Sequence, residues 1–559
     1  MFKTGMKGVC AVFVVCWMAV AVLPAGAEAA GPPDGTGSYE DLVALFQEFR
    51  EWKTPPKVNG LVDYGRRAVD RRRADLRAFQ GRLGDMGVAR WSRPQQVDYL
   101  AVRAQLDQHD FYLNVSRLWS RDPGFYVDRM LRVTFTDLPV SGEARETFET
   151  ELAAISALTK QARQNLTEAA GDYADLAIHN LTHADGVGHG HPYRDVPPAG
   201  VIGWYEDLAG RARTAQPDLL PAITAAADAV KAFHVWLRES RAGMTAPAGV
   251  GKRAFDWYLK QVKLMPYGPD EVVALGRREL ERLWAFYALE QHRNRDLPVL
   301  SLPASREEYE LRIKETDEMI RAWLVEDEII SIPDYIPGDW VSMGFNVPWI
   351  ERPQGPNFWE QIQYRDPSPD HLHAVIPGHR YDGWVERNST HPIRRHISDG
   401  GRSEGWAVYL EEMGLQLGLF ETRPRTRELI YIFGIFRAVR TVGDVLMQSN
   451  EMTTAEAAAY WMDWTPFLDP DVARVDAEIY LRRPPGYGLG YTVGMFQMQE
   501  LLADRKHQLG DAFALKDFHD AFMAAGRLPM SLIRWEMTGL DDEIAAFWQH
   551  TPLSKAKLN

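Results

Sequence analysis

The sequence predicts a mainly α protein, a large helical fold with few short strands. Three observations predict it. Apolar residues recur at three- and four-residue spacing through most of the chain, helix-capping patterns precede several of these runs, and strand–helix alternation and fixed-period repeats are absent.

The chain begins with a secretory signal pattern, assigned to residues 1–27. Lys3 and Lys7 form a basic start, an apolar run follows from Val9 to Leu23, and Ala25-Gly26-Ala27 is a small-residue cleavage site. Both cysteines, Cys10 and Cys16, lie in this segment and neither sits at the cleavage point, so the mature chain has no cysteine and relies on its core rather than on disulfides. An exported, periplasmic or extracellular protein is expected. Residues 28–37 form a linker, with its Pro/Gly-rich part from Gly31 to Gly37. The remainder, 38–559, reads as one helix-rich unit with a weak subdivision at 245–251.

Ser38 with Asp41 forms a capping box, and Leu42, Leu45, Phe46 and Phe49 make one apolar stripe behind it. Long helices are expected near 66–85, 94–120, 143–182, 216–240, 270–292 and 305–326. Thr453 with Glu456 caps a further helix to about Trp464. Residues 330–367 differ: Pro333, Pro337, Trp340, Pro348, Pro353 and Pro356 suit a few strands or an ordered loop.

The formal charge is −14, and removal of Lys3 and Lys7 makes it more negative. Such a chain is poorly suited to nucleic acid or an anionic membrane surface. No run after the signal approaches the roughly 18 apolar residues of a membrane span. The 18 Trp and 21 Tyr suit an aromatic-lined cleft or a large helical core equally.

The chemistry concentrates in two motifs. The first is His373-Ala374-Val375-Ile376-Pro377-Gly378-His379 and the second is Glu404-Gly405-Trp406-Ala407-Val408-Tyr409-Leu410-Glu411. Two histidines and a carboxylate are a suitable zinc ligand set. On an unbroken helix the two histidines would point about 120° apart; Pro377-Gly378 removes that objection by interrupting the helix. Glu404 and Glu411, seven apart, share one helix face.

These motifs, followed by Tyr491-Thr492-Val493-Gly494, Phe518-His519 and Gly526-Arg527-Leu528-Pro529, resemble those of bacterial domain-of-unknown-function family 885. That family is similar to the gluzincin metallopeptidases. The resemblance covers about 38–550. It implies Zn²⁺ bound by His373, His379 and Glu404, with Tyr491 and His519 lining the site to stabilise an oxyanion, and a peptide or small amide as substrate. The departure is Ala374, where the family pattern has a glutamate general base worth roughly 10²–10⁴ in rate. Asp382, Glu411 and His371 are the alternative groups nearest by motif position, and Glu411 is expected to be catalytic. The expected function is a zinc-dependent amide hydrolase with an atypical or absent base. Its alternatives are a pseudoenzyme that binds peptides or a partner, and a metal-dependent lyase or isomerase.

Two other clusters stand out. His179 and His183, four apart, are followed by His189 and His191; this reads as a polar loop, a site-lining loop or a second metal site. Arg482, Arg483 and Tyr487 precede Tyr491 in a Pro-Pro-Gly turn, where an arginine could hold a substrate carboxylate or equally be surface charge.

Overall fold

The computed structural model describes residues 31–183, 192, 194, 196–352 and 354–558. The signal segment, residues 28–30, His189 and His191 lie outside them.

The described chain is mainly α, and its only strands are Lys57–Val58 and Leu61–Val62, an antiparallel pair. The expected cap at Ser38 forms in both directions: Asp41 N–H donates to Ser38 Oγ at 3.3 Å, and Ser38 N–H to Asp41 Oδ2 at 2.8 Å. Behind it Leu42, Leu45, Phe46 and Phe49 are all buried. Thr453 and Glu456 form the same reciprocal cap on Thr454–Trp464.

Three expectations are revised. The helix expected over 94–120 is Arg93–Phe111, which widens into a π turn at Tyr112–Ser116 and stops where Arg117 takes a φ of 42°. The one expected over 143–182 is two helices, Gly142–Asn165 and Gly171–Thr182. Over the described part of 330–367 there is no strand. Short helices at Trp340–Met343 and Phe358–Arg365 are joined by coil, the second fixed by an Asn357–Glu360 capping box.

A continuous buried cluster reaches from Leu42 to Phe547 and includes residues on both sides of 245–251. That stretch is pinned rather than free. The Arg121 guanidinium donates to the carbonyls of Pro247, Ala248 and Gly249, and Gly251 N–H donates to Gln448.

At the centre, Pro269–Arg293 packs along Pro424–Gln448, and Gly400–Gln416 packs along Leu489–Leu509. The second pair meets glycine to glycine. A Cβ on Gly405 would lie 2.3 Å from the carbonyl carbon of Gly494, and one on Gly494 would lie 2.1 Å from Gly401 O. Gly490 similarly faces Gly401. Two glycines four apart on each helix therefore let the backbones touch, a close approach any side chain would block. No described helix is long and apolar enough to cross a membrane.

Candidate metal centre

Helix Ser368–Ala374 carries His373 at its last turn. The chain then turns at 375–378, and His379 opens the next helix, His379–Asn388. Glycine is required at 378 by space: a Cβ there would lie 1.8 Å from His373 O. This break replaces the divergence of an unbroken helix with convergence. The two Nε2 atoms lie 3.1 Å apart, with the rings nearly perpendicular.

Glu404 arrives from the neighbouring helix. Its Oε2 lies 3.2 Å from His379 Nε2 and 3.5 Å from His373 Nε2. Among the described residues these three form the group able to hold a metal ion. Tetrahedral ligands at zinc bond lengths of about 2.0–2.2 Å sit roughly 3.3–3.5 Å from one another, so the donor triangle has the size such an ion needs. Burial alone would raise the Glu404 carboxyl, but His379 and His373 beside it hold it well below the usual carboxylate range. The ionised carboxylate is thus the form the site favours.

Further contacts orient the three. His373 Nδ1 lies 2.8 Å from Glu411 Oε1, while Glu411 Oε2 accepts from Arg437 at 2.7 Å. Arg437 Nη2 also approaches Nδ1, at 3.1 Å. The Glu411–Arg437 pair thus stands behind Nδ1 and leaves Nε2 as the nitrogen that faces His379 and Glu404; a carboxylate behind a ligating histidine is a usual way to orient such a ring. Trp406, fully buried, donates its indole N–H to Pro377 O at 2.9 Å and so ties the turn to the Glu404 helix. Asp382 Oδ2 accepts from Arg402 at 2.6 Å and from Arg527 at 2.8 Å, which joins the His379 and Glu404 helices by a buried ion pair.

His379 and Glu404 open into a cavity of about 460 Å³ that Tyr258, Lys263, Asp382, Asp399 and Tyr487 also line. Lys263 pairs with Asp399 at 2.6 Å, and Asp399 caps the Glu404 helix through Arg402 N–H.

The remaining expected site residues are placed differently. Glu411 stands behind His373, paired with Arg437, and does not line the cavity. His519 is fully buried: its Nδ1 donates to Ile329 O at 2.7 Å, and its Nε2 accepts from the Tyr409 hydroxyl at 3.0 Å. It packs on Trp406, with both nitrogens engaged away from the donor triangle. Tyr491 sits among Tyr480, Tyr487 and Arg440 and does not line the cavity; burial, then the nearby Glu404 carboxylate, push its hydroxyl well above its ordinary pKa. The tyrosine at the triangle is Tyr487, whose hydroxyl donates to Glu404 Oε1 at 2.7 Å. Sequence reasoning placed Tyr487 beside a substrate arginine but missed this bond.

The expected alternatives to a glutamate at 374 are also engaged. Asp382 is held by two arginines, and His371 Nε2 meets Asp317 at 2.8 Å in the core. A carboxylate that sequence reasoning passed over, Asp370, lies one helical turn before Ala374. It is buried, its Oδ1 accepts from Asn346 at 3.2 Å, and its Oδ2 has no partner. Burial is the main cause that raises its pKa, and the charge of His373 is the largest influence the other way. Far from this site, His179 and His183 stack their rings 4.3 Å apart.

Comparison with known proteins agrees with the fold. A "putative lipoprotein of unknown function" from Shewanella oneidensis is similar with a TM-score of 0.66 at 16% identity, over 90% of this chain and 100% of the other. A "putative lipoprotein" from Colwellia psychrerythraea gives 0.67 at 16% identity, over 89% and 98%. No curated protein matches the chain. The family model of bacterial proteins of unknown function DUF885 matches residues 54–321 and 371–537, both motifs and most of the helical body included. The chain belongs to family DUF885.

Proposed function

We propose that His373, His379 and Glu404 hold a zinc ion, and that the protein is an exported hydrolase of peptide or other amide bonds, related to the gluzincin metallopeptidases. The observation that carries this reading is the donor triangle, with edges of 3.1, 3.2 and 3.5 Å, at the wall of a cavity large enough for a peptide residue. Zinc bound there would act as a Lewis acid towards a carbonyl and would acidify water.

The chain's own groups do the rest. Glu411 and Arg437 hold the Nδ1 side of His373, and Tyr487 fixes one oxygen of Glu404 so that the other meets the histidines. Ala374 carries no proton. Asp370, one helical turn before Ala374 and with an uncommitted Oδ2, is the buried carboxylate we assign to take the proton in its place; like Glu411 it stands behind the cavity lining. Export is supported by the N-terminal signal pattern and by the description of both structural relatives as lipoproteins.

A second reading, a peptide-binding protein without turnover, is favoured by Ala374 itself and by the ion-paired state of Asp382 and Asp399. Metal analysis of the mature protein, paired with turnover of a mixed peptide library, tests both. One zinc per chain with cleavage supports the hydrolase. One zinc without cleavage supports the binding protein, and absence of metal overturns the centre.

A further inference from the structure

Beside the cavity at His379 and Glu404 lies a second, of about 450 Å³. Gln108, Tyr258, Pro484 and Pro485 line both, so the two share a wall. The second is largely apolar, faced by Phe111, Tyr112, Leu113, Tyr173, Val250 and Leu481.

Its polar exceptions indicate what it receives. His109, on its wall, is 8% exposed and wedged against Phe49, Trp52 and Tyr112, and its Nε2 has no hydrogen-bond partner. Buried polar atoms are nearly always satisfied, so an unsatisfied nitrogen on a cavity wall points to a ligand there. Burial, with Arg72 and Lys53 nearby, lowers its pKa to about 3, so at neutral pH it offers a neutral ring.

The charges around this cavity are unbalanced. Lys53, Arg72, Arg121, Arg482 and Arg483 line it against one carboxylate, Asp63. Arg482 is held by Asp122, Asp128 and Glu478. Arg483 differs: it is exposed, its guanidinium lies 4.4 Å over the Tyr487 ring, and no described carboxylate pairs with it. Tyr487 in turn bonds Glu404. A planar cation held flat by an aromatic ring presents its edge for a bidentate carboxylate.

Resting on the zinc-hydrolase reading, we infer that the second cavity takes a large apolar or aromatic side chain of the substrate and that Arg483 takes the free carboxylate of the same residue. The substrate class is then peptides that end in an aromatic residue with an unblocked C-terminus. A residue of this kind buries about 150–250 Å² of aromatic side chain, and cavities of this size and lining accept such groups.

The test is calorimetric titration of the zinc-loaded protein with N-acetyl-phenylalanine, its amide, and N-acetyl-alanine. The phenylalanine acid should bind at least about ten-fold tighter than either of the others. Arg483→Gln should abolish the difference between acid and amide. Ser116→Trp, which fills the cavity from its half-buried rim, should abolish the difference between phenylalanine and alanine. Equal affinity for the phenylalanine and alanine acids overturns the cavity assignment, and equal affinity for acid and amide overturns the role of Arg483. Both comparisons are made on the wild-type protein, so a variant that folds poorly rescues neither. Binding with this preference but without cleavage of any peptide would sink the hydrolase reading alone, and cleavage without the preference would sink the substrate class alone.

Discussion

Tyr487 donates its hydroxyl proton to Glu404 Oε1 at 2.7 Å, which leaves Oε2 as the oxygen that faces both histidines. One phenol thus decides which oxygen of the carboxylate is available. Tyr487→Phe should weaken zinc affinity by about 10–100-fold, the usual cost of losing an outer partner of a ligand. Tyr491→Phe should leave it within about three-fold, because Tyr491 stands one layer deeper. Competition against a zinc chelator measures both, and equal effects would remove Tyr487 from its assigned place.

Replacement of His373, His379 or Glu404 singly by Ala should reduce bound zinc from one equivalent to none. Elemental analysis of the purified variants gives the answer. Metal retained in all three variants would move the centre elsewhere.

Asp370 and residue 374 should be interchangeable as proton carriers. Asp370→Asn should lower peptide turnover by about 10²-fold, and Ala374→Glu should raise it by roughly 10²–10⁴. In the Ala374→Glu background, Asp370→Asn should cost less than about two-fold, because the new carboxylate makes the old one redundant. If the aspartate only supports the fold, its loss would cost the same in both backgrounds.

The glycine crossing predicts a stability effect with no chemistry in it. Gly405→Ala or Gly494→Ala would place a methyl group within 2.3 Å and 2.1 Å of the opposite backbone. Each should destabilise the protein by about 1–3 kcal/mol, as overpacking does elsewhere. Denaturant midpoints at constant slope would show it, and unchanged midpoints would mean that the helices separate easily.

His519 should make stability depend on pH. Burial lowers its pKa from 6.5 to about 4, so the folded state holds it neutral where the unfolded chain begins to protonate it. The stability this contributes is present above pH 6.5 and is lost as pH falls towards 4. Over that window, His519→Asn should show a shallower decline than the wild type in chemical denaturation. Parallel declines would leave the histidine without this role.

Much of the fold was legible because periodicity and capping are local. Ser38 with Asp41 and Thr453 with Glu456 acted as read. The helix breaks at Tyr112–Ser116 and after Asn165 were not legible, because they answer to tertiary packing rather than to a proline or glycine at the break. At the centre, the sequence showed the three donors and the interruption that lets them meet. It did not show which carboxylate lies in front of His373 and which behind, since Glu404 and Glu411 share a helix face. Nor did it separate Tyr487 from Tyr491, one helical turn apart, or show that the Tyr409 hydroxyl and a carbonyl already occupy both nitrogens of His519.

Gly401, Gly405, Gly490 and Gly494 hold two helices in contact whatever the cavity beside them does. A variant stripped of its three ligands would still need Gly405, Gly490 and Gly494 to keep its shape. Shape is set at the glycines between the helices, and whatever the cavity does is left to the few side chains that face it.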